Sequence, residues 1–201
     1  MKRFLSNFFC NFSLITYVFC ILFFFNSETK SESNVLESVN ILHKSLIKIS
    51  KKTIKSKDLA LMDDVVKNSY DLERMGKMII GVKWKQMETK MQEEFINVFK
   101  RFISVNYLRR FNKIIDLDFE YQSVRVIEDK FRLAGVILMA DNERIKIDYL
   151  LGFNNDQWKI FDVLLDGSIS EIATKKSDFK KIINEEGVSG LIKNLRLRNQ
   201  F

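Results

Sequence analysis

Asp162 sits inside the segment Trp158–Ser170, WKIFDVLLDGSIS, a carboxylate set among apolar residues. A carboxylate held away from water has two uses. It can act as a general base in a sheltered pocket, or it can anchor neighbouring groups through hydrogen bonds. Nothing nearby completes a catalytic set, so the anchor is the simpler reading. The chain has one histidine, His43. It falls beside Leu42, off the main apolar stripe of its helix, and reads as solvated or partly buried. Both cysteines, Cys10 and Cys20, lie in the first twenty residues. One histidine and no later cysteine argue against a protein-built zinc site. There is no nucleophile elbow, P-loop or dinucleotide-binding glycine pattern. The composition therefore offers carboxylates and aromatics, and the aromatics are the larger signal: Phe occurs 18 times in 201 residues.

The elements that would position these groups change period halfway along the chain. Asn34 followed by Glu37 reads as a capping-box start. Val35, Val39, Leu42, Leu46 and Ile49 then share a helical face. A second helix fits 58–68, with Leu59, Met62, Val65 and Val66 inward, and a third fits 71–80 and ends at Gly81. Thr89 and Gln92 form a second capping-box pattern. It opens a helix whose stripe is Phe95, Val98, Phe99, Phe102 and Ile103, continuing towards Tyr107 and Phe111. From residue 119 the spacing becomes alternating. Segments 119–128, 131–140, 144–153 and 157–165 read as four strands joined by short polar turns, an antiparallel meander. Ser177 then opens a helix that closes at Gly187, and a last short helix follows. The fold class is α+β: N-terminal helices, a four-stranded antiparallel sheet and C-terminal helices, with an apolar cavity between sheet and helices.

The segment Trp158–Leu165 is apolar on both sides of a strand, where a half-buried strand would be apolar on one. Something covers both faces. Packed protein and a bound apolar guest are the two candidates, and periodicity alone does not separate them.

The first thirty residues read as an address. A basic start, an apolar run at 14–25 and a polar exit at 26–34 match a secretory signal peptide, with an uncleaved membrane anchor as the other reading. Residues 31–201 would then be one domain with no cysteine, which suits the bacterial periplasm. The net charge of +7 is spread thinly. Its densest cluster, Lys48, Lys51, Lys52, Lys55 and Lys57, is a solvated surface or a contact for anionic headgroups or an acidic partner. An exported chain without a nucleic-acid motif is not expected to bind nucleic acid.

Three stretches together carry a family resemblance. Residues 81–107, GVKWKQMETKMQEEFINVFKRFISVNY, hold Gly-x-x-Trp, Phe-x-x-x-Phe and a later Tyr. Residues 148–170, DYLLGFNNDQWKIFDVLLDGSIS, hold Asp-Tyr, Trp-Lys-x-x-Asp-Val and Gly-x-Ser. Residues 177–195, SDFKKIINEEGVSGLIKNL, hold Ser-x-Phe, a Gly and Leu-Ile-x-x-Leu. In order and spacing they resemble the MlaC family, the toluene-tolerance auxiliary component of an ABC transporter. The chain departs from the family at Glu88-Thr89, where Ser-Pro is common, at Met91 in place of a Gln, and at Lys175 and Lys176 in place of an Arg.

The resemblance implies a periplasmic phospholipid carrier, not an enzyme, with no cofactor beyond its cargo. Its expected partners are a diacyl phospholipid, an inner-membrane ABC transporter complex and an outer-membrane lipoprotein complex. Such a carrier shuttles lipid between the two membranes and maintains outer-membrane asymmetry. The residues expected to line the lipid cavity are Ile79, Trp84, Phe99, Ile103, Ile137, Ile147, Tyr149, Phe161 and Val163. Three alternatives stay open: a transporter adaptor without cargo, a carrier of another lipid such as a hopanoid, and an enzyme using Asp162 as base.

Overall fold

Two-residue turns at Asp141-Asn142 and Asn155-Asp156 have positive φ at both positions (48° and 75°, 49° and 58°). That is the turn geometry whose twist matches antiparallel strands, and Asn and Asp tolerate it better than other non-glycine residues. The turns fold the second half of the chain into a meander in the computed structural model, which describes residues 35–200. The strands are β1 (Leu117–Glu128), β2 (Phe131–Ala140), β3 (Glu143–Asn154), β4 (Gln157–Leu165) and a two-residue β5 (Ile169–Ser170), in spatial order 1-2-3-4-5 and all antiparallel. The sequence reading yields four of these. β5 is too short to leave an alternating pattern. The N-terminal segment read as a signal peptide, and the Asn34 cap, lie outside the described residues.

Among the described residues, six α-helices complete the α+β architecture. They are α1 (Glu37–Ile49), α2 (Ser56–Ser69), α3 (Leu72–Ile80), α4 (Thr89–Phe111), α5 (Glu171–Glu185) and α6 (Gly187–Arg198), with a 3₁₀ helix at Gly81–Gln86. The α1 stripe holds as read: Val35, Val39, Leu42, Leu46 and Ile49 are all buried. Two capping readings fail. Gln92 does not bond back to Thr89; its amide donates to the Trp84 and Met87 carbonyls (2.9 and 3.3 Å), tying the 3₁₀ helix to α4. Ser177 lies exposed inside α5, which begins earlier because Ser170 caps it by accepting from the Ala173 N–H (2.9 Å).

The inner face of the sheet presents Ala134, Val136, Leu138, Ile147, Tyr149 and Leu151, all buried. The opposite face carries rows such as Glu120, Ile137 and Lys146, paired side by side. The outer edge of β4 is covered at both its middle and its end. The Asp71 N–H donates to the Ile160 carbonyl (2.8 Å) just before α3 begins, and β5 pairs with Leu164 and Leu165 at the other end. Between these, Asp162 accepts from the Ser170 hydroxyl (2.6 Å) and from the N–H groups of Val163 (2.8 Å) and Ile172 (3.1 Å). The carboxylate thus holds the first turn of α5 on the sheet, where unpaired helix N–H groups favour a negative charge.

His43 ties α1 to the sheet. It is buried, stacks on Phe119 (3.7 Å between centroids) and bridges two phenols. The Tyr121 hydroxyl donates to Asn40 Oδ1 (2.5 Å), so it accepts from His43 Nδ1–H (2.9 Å). Nε2 is then the acceptor for the Tyr149 hydroxyl (2.9 Å). The neutral ring, with one donor and one acceptor, satisfies both bonds without placing a charge in this buried site. Burial lowers the His43 pKa from 6.5 to about 3. The sequence reading of a solvated or partly buried side chain is corrected: His43 is buried, because Tyr121 and Tyr149 arrive from the sheet to answer both ring nitrogens.

Two outcomes follow from these ties. Removing the carboxylate in Asp162→Ala strands buried donors, at about 1–3 kcal/mol per donor, so urea unfolding should show a clear loss. His43 adds an acid-side term. The unfolded ring takes a proton below 6.5 and the folded ring only near 3, so this stability is complete above 6.5 and drains away as pH falls towards 3. His43→Gln, which keeps one donor and one acceptor, should flatten that loss in chemical denaturation at stepped pH. An unchanged pH profile would count against it.

Candidate functional site

The α4 helix repeats its contacts every three or four residues, and the stripe outruns the aromatic block: Phe99, Phe102, Ile103, Asn106, Tyr107, Arg110 and Phe111. These residues form one wall of a cavity of about 450 Å³. The sheet supplies the facing wall through Leu138, Ile145, Ile147, Tyr149, Val163 and Leu165. Leu46 of α1, Tyr70, Met75 of α3, Ile114, and Asp162, Glu171, Ile172 and Lys175 around the start of α5 close the sides. The lining is mostly hydrocarbon and aromatic ring.

Its polar groups bond mainly to one another. The Tyr70 and Tyr107 hydroxyls share a hydrogen bond. Burial raises the Tyr107 pKa to about 12, and burial together with the neighbouring Tyr107 and Tyr149 phenols raises that of Tyr70 well above the ordinary value. Tyr149 spends its hydroxyl on His43, and burial raises its pKa well above the ordinary value. Lys175 pairs with Glu171 (3.5 Å) and Asp178 (3.8 Å). All three tyrosines are neutral hydroxyls at any ordinary pH, and Asp162 is engaged by three donors. Among the described residues no group of three His, Cys, Asp or Glu side chains is placed to hold a metal.

Of the residues selected from the sequence, Phe99, Ile103, Ile147, Tyr149 and Val163 line this cavity. Four do not. Ile79 is buried in the packed core. Trp84 packs edge-on against Phe95 (6.1 Å) and so close to Gly76 that a Cβ there would lie 2.8 Å from its ring. Ile137 pairs with Lys146, while Ile147 pairs with Val136, so the two isoleucines face opposite sides of the sheet. Phe161 is displaced by a bulge: Leu150 pairs with Asp162 but Leu151 with Ile160, leaving Phe161 as the extra residue. A bulge resets strand parity. Phe161 meets Phe131 (5.7 Å), and the Arg74 guanidinium lies over both rings (5.0 and 4.9 Å). Gly152 leaves the space for that guanidinium, since a Cβ there would meet it at 2.5 Å.

The segment Trp158–Leu165 is therefore apolar on both sides because each side has its own cover. Trp158, Ile160, Val163 and Leu165 belong to the core and cavity side, and Phe161 to the Arg74 stack. The stripe as read continues to Tyr107 and Phe111, which also line the cavity, and extending it by its own period adds Asn106 and Arg110. No local pattern points to Tyr70 or Lys175, which arrive from other elements. The lysine cluster contributes nothing to the lining, and two of its members are already paired, Lys51 with Asp116 (3.2 Å) and Lys52 with Asp58 (2.5 Å).

Comparison with known proteins fits this geometry. The structure of a phospholipid-binding protein from Ralstonia solanacearum, in complex with a phospholipid, superimposes with a TM-score of 0.68 at 20% identity, over 83% of this chain and 97% of that one. At that identity the likeness is one of fold. A search of curated proteins returns no significant match. The family model for MlaC protein matches residues 39–197, a span that takes in most of α1 and α6 and everything between. The chain belongs to the MlaC protein family.

Proposed function

We propose that this protein is a phospholipid carrier of the periplasm, taking acyl chains into the cavity between α4 and the sheet. The observation that carries the reading is the cavity itself, about 450 Å³ with mainly apolar walls, in a member of this family. The similar fold from Ralstonia solanacearum, described as phospholipid-binding, supports it. Two acyl chains carry roughly 30 methylenes at about 0.8 kcal/mol each, so their exposure to water would cost on the order of 20–25 kcal/mol. A carrier has only to match the membrane interior for lipid to pass between them with little net change. No catalytic group is needed. The hydrogen bonds around Asp162 favour an anchoring use over general-base chemistry. In this reading residues 1–30 act as the export signal, the partners are an inner-membrane ABC transporter complex and an outer-membrane lipoprotein complex, and the shuttle sustains outer-membrane asymmetry.

Native mass spectrometry with solvent extraction, on protein purified from a bacterial periplasm, tests the cargo. A stoichiometric diacyl phospholipid is the expected result. A clean protein mass with no uptake from vesicles would leave a cargo-free adaptor, and a hopanoid mass would change the lipid class.

Filling the cavity tests its location. Val163→Trp or Ile103→Trp should lower lipid occupancy by about tenfold or more, which corresponds to ~1.4 kcal/mol of binding. Ile137→Trp, on the other face of the sheet, should leave occupancy unchanged. Equal effects from all three would detach the cavity from the cargo.

A further inference from the structure

The cavity is not uniform along its length. On α4 its wall runs from Phe99, Phe102 and Ile103 to Asn106, Tyr107, Arg110 and Phe111. At 1.5 Å of rise per residue, Phe99 and Arg110 lie roughly 16 Å apart. One end is ring and aliphatic chain alone; the other sets an amide, a phenol and a guanidinium beside Phe111 and Ile114. The phenols add a donor. Two hydroxyls that share one hydrogen bond use one of their two hydrogens on it, so the Tyr70–Tyr107 pair keeps one O–H for a guest.

The two cations of the lining differ in what they have left to give. Lys175 is committed to Glu171 and Asp178. Arg110 is exposed and makes no ion pair with any described residue. Its charge, after the Tyr70 hydrogen bond, works against the upward pull that burial and Glu171 exert on the Tyr107 phenol. A guanidinium has a planar fork of donors that matches phosphate oxygens, and a helix C-terminus is where a cation is favoured. Here the fork stands at the polar end of an apolar slot.

We propose that Arg110 contacts the phosphate of the bound lipid, and that it makes the protein prefer a diacyl lipid bearing a phosphodiester over an uncharged lipid with the same tails. This rests on the cargo reading above. The tails supply the bulk of the binding and are blind to the headgroup. Arg110 supplies the discrimination, with the spare phenolic hydrogen and Asn106 as neutral donors beside it.

Delipidated full-length protein incubated with vesicles holding equal dioleoylphosphatidylglycerol and dioleoylglycerol, read by native mass spectrometry, separates the two contributions. Wild type should load the phosphatidylglycerol about tenfold or more over the diacylglycerol, the scale of one charge-assisted contact. Arg110→Ala should bring the ratio near unity while still loading lipid, Arg110→Lys should fall between, and Lys193→Ala, an exposed cation on α6, should match wild type. An Arg110→Ala ratio equal to wild type would overturn the proposal and leave the carrier reading standing. Oleate outcompeting both lipids would also overturn it. Inorganic phosphate that abolishes the preference would reassign the guanidinium to free phosphate and overturn it too. Wild type that loads neither lipid would bring down both readings.

Discussion

A hollow inside a protein is tolerable only if its walls leave no polar group begging for water. That constraint organises this molecule. The cavity between α4 and the sheet contains phenols and carboxylates, yet most are answered within the chain. Tyr149 is answered by His43, which is answered in turn by Tyr121 and Asn40. Asp162 is answered by the start of α5. With those bonds closed, hydrocarbon can enter or leave with few donors stranded, the spare hydrogen of the Tyr70–Tyr107 pair being the exception. The same bonds fasten α1 and α5 to the sheet, so the polar relay that keeps the hollow dry on its protein side also fixes its walls.

Much of the fold was legible because its signals are local. The Asn and Asp turns, the α1 stripe and the switch to alternation at β1 each depend on neighbours within a few residues. The boundaries of β2 and β4 follow directly from that. The misses have a common cause in contacts made across the chain. Gln92 has a capping-box partner in sequence but a better one in space, the Trp84 carbonyl. Ser170 rather than Ser177 starts α5 because Asp162, eight residues earlier, positions it. His43 could not be read as a relay without knowing that Tyr121 and Tyr149 arrive beside it.

The cavity residues divide along the same line. Phe99 and Ile103 follow from the α4 stripe, and Ile147 and Tyr149 from the clean alternation of β3. Alternation fails in β4 because one inserted residue shifts the parity at Phe161, and a bulge leaves no mark in composition. Ile137 fails for another reason: both faces of β2 are apolar there, so alternation offers no choice between Ile137 and its neighbours Val136 and Leu138. Arg110 was within reach of the helical period, but a charged residue at the end of an aromatic stripe looks like ordinary surface until the walls around it are assembled.

The meander has a temporal consequence. Every long strand pairs with the next one in sequence, the two inner hairpins close on two-residue turns, and the chain contains no proline. Hairpins form in microseconds, whereas prolyl isomerisation takes tens of seconds. The sheet can therefore assemble by successive local closures with no slow isomer to wait for. α1, α2 and α3, which precede the sheet in the chain, must settle onto β4 through contacts that span a hundred residues or so. A polypeptide emerging N-terminus first would thus hold its opening helices in suspense until β4 arrives. During that interval their apolar faces would be open to whatever binds unfolded chains.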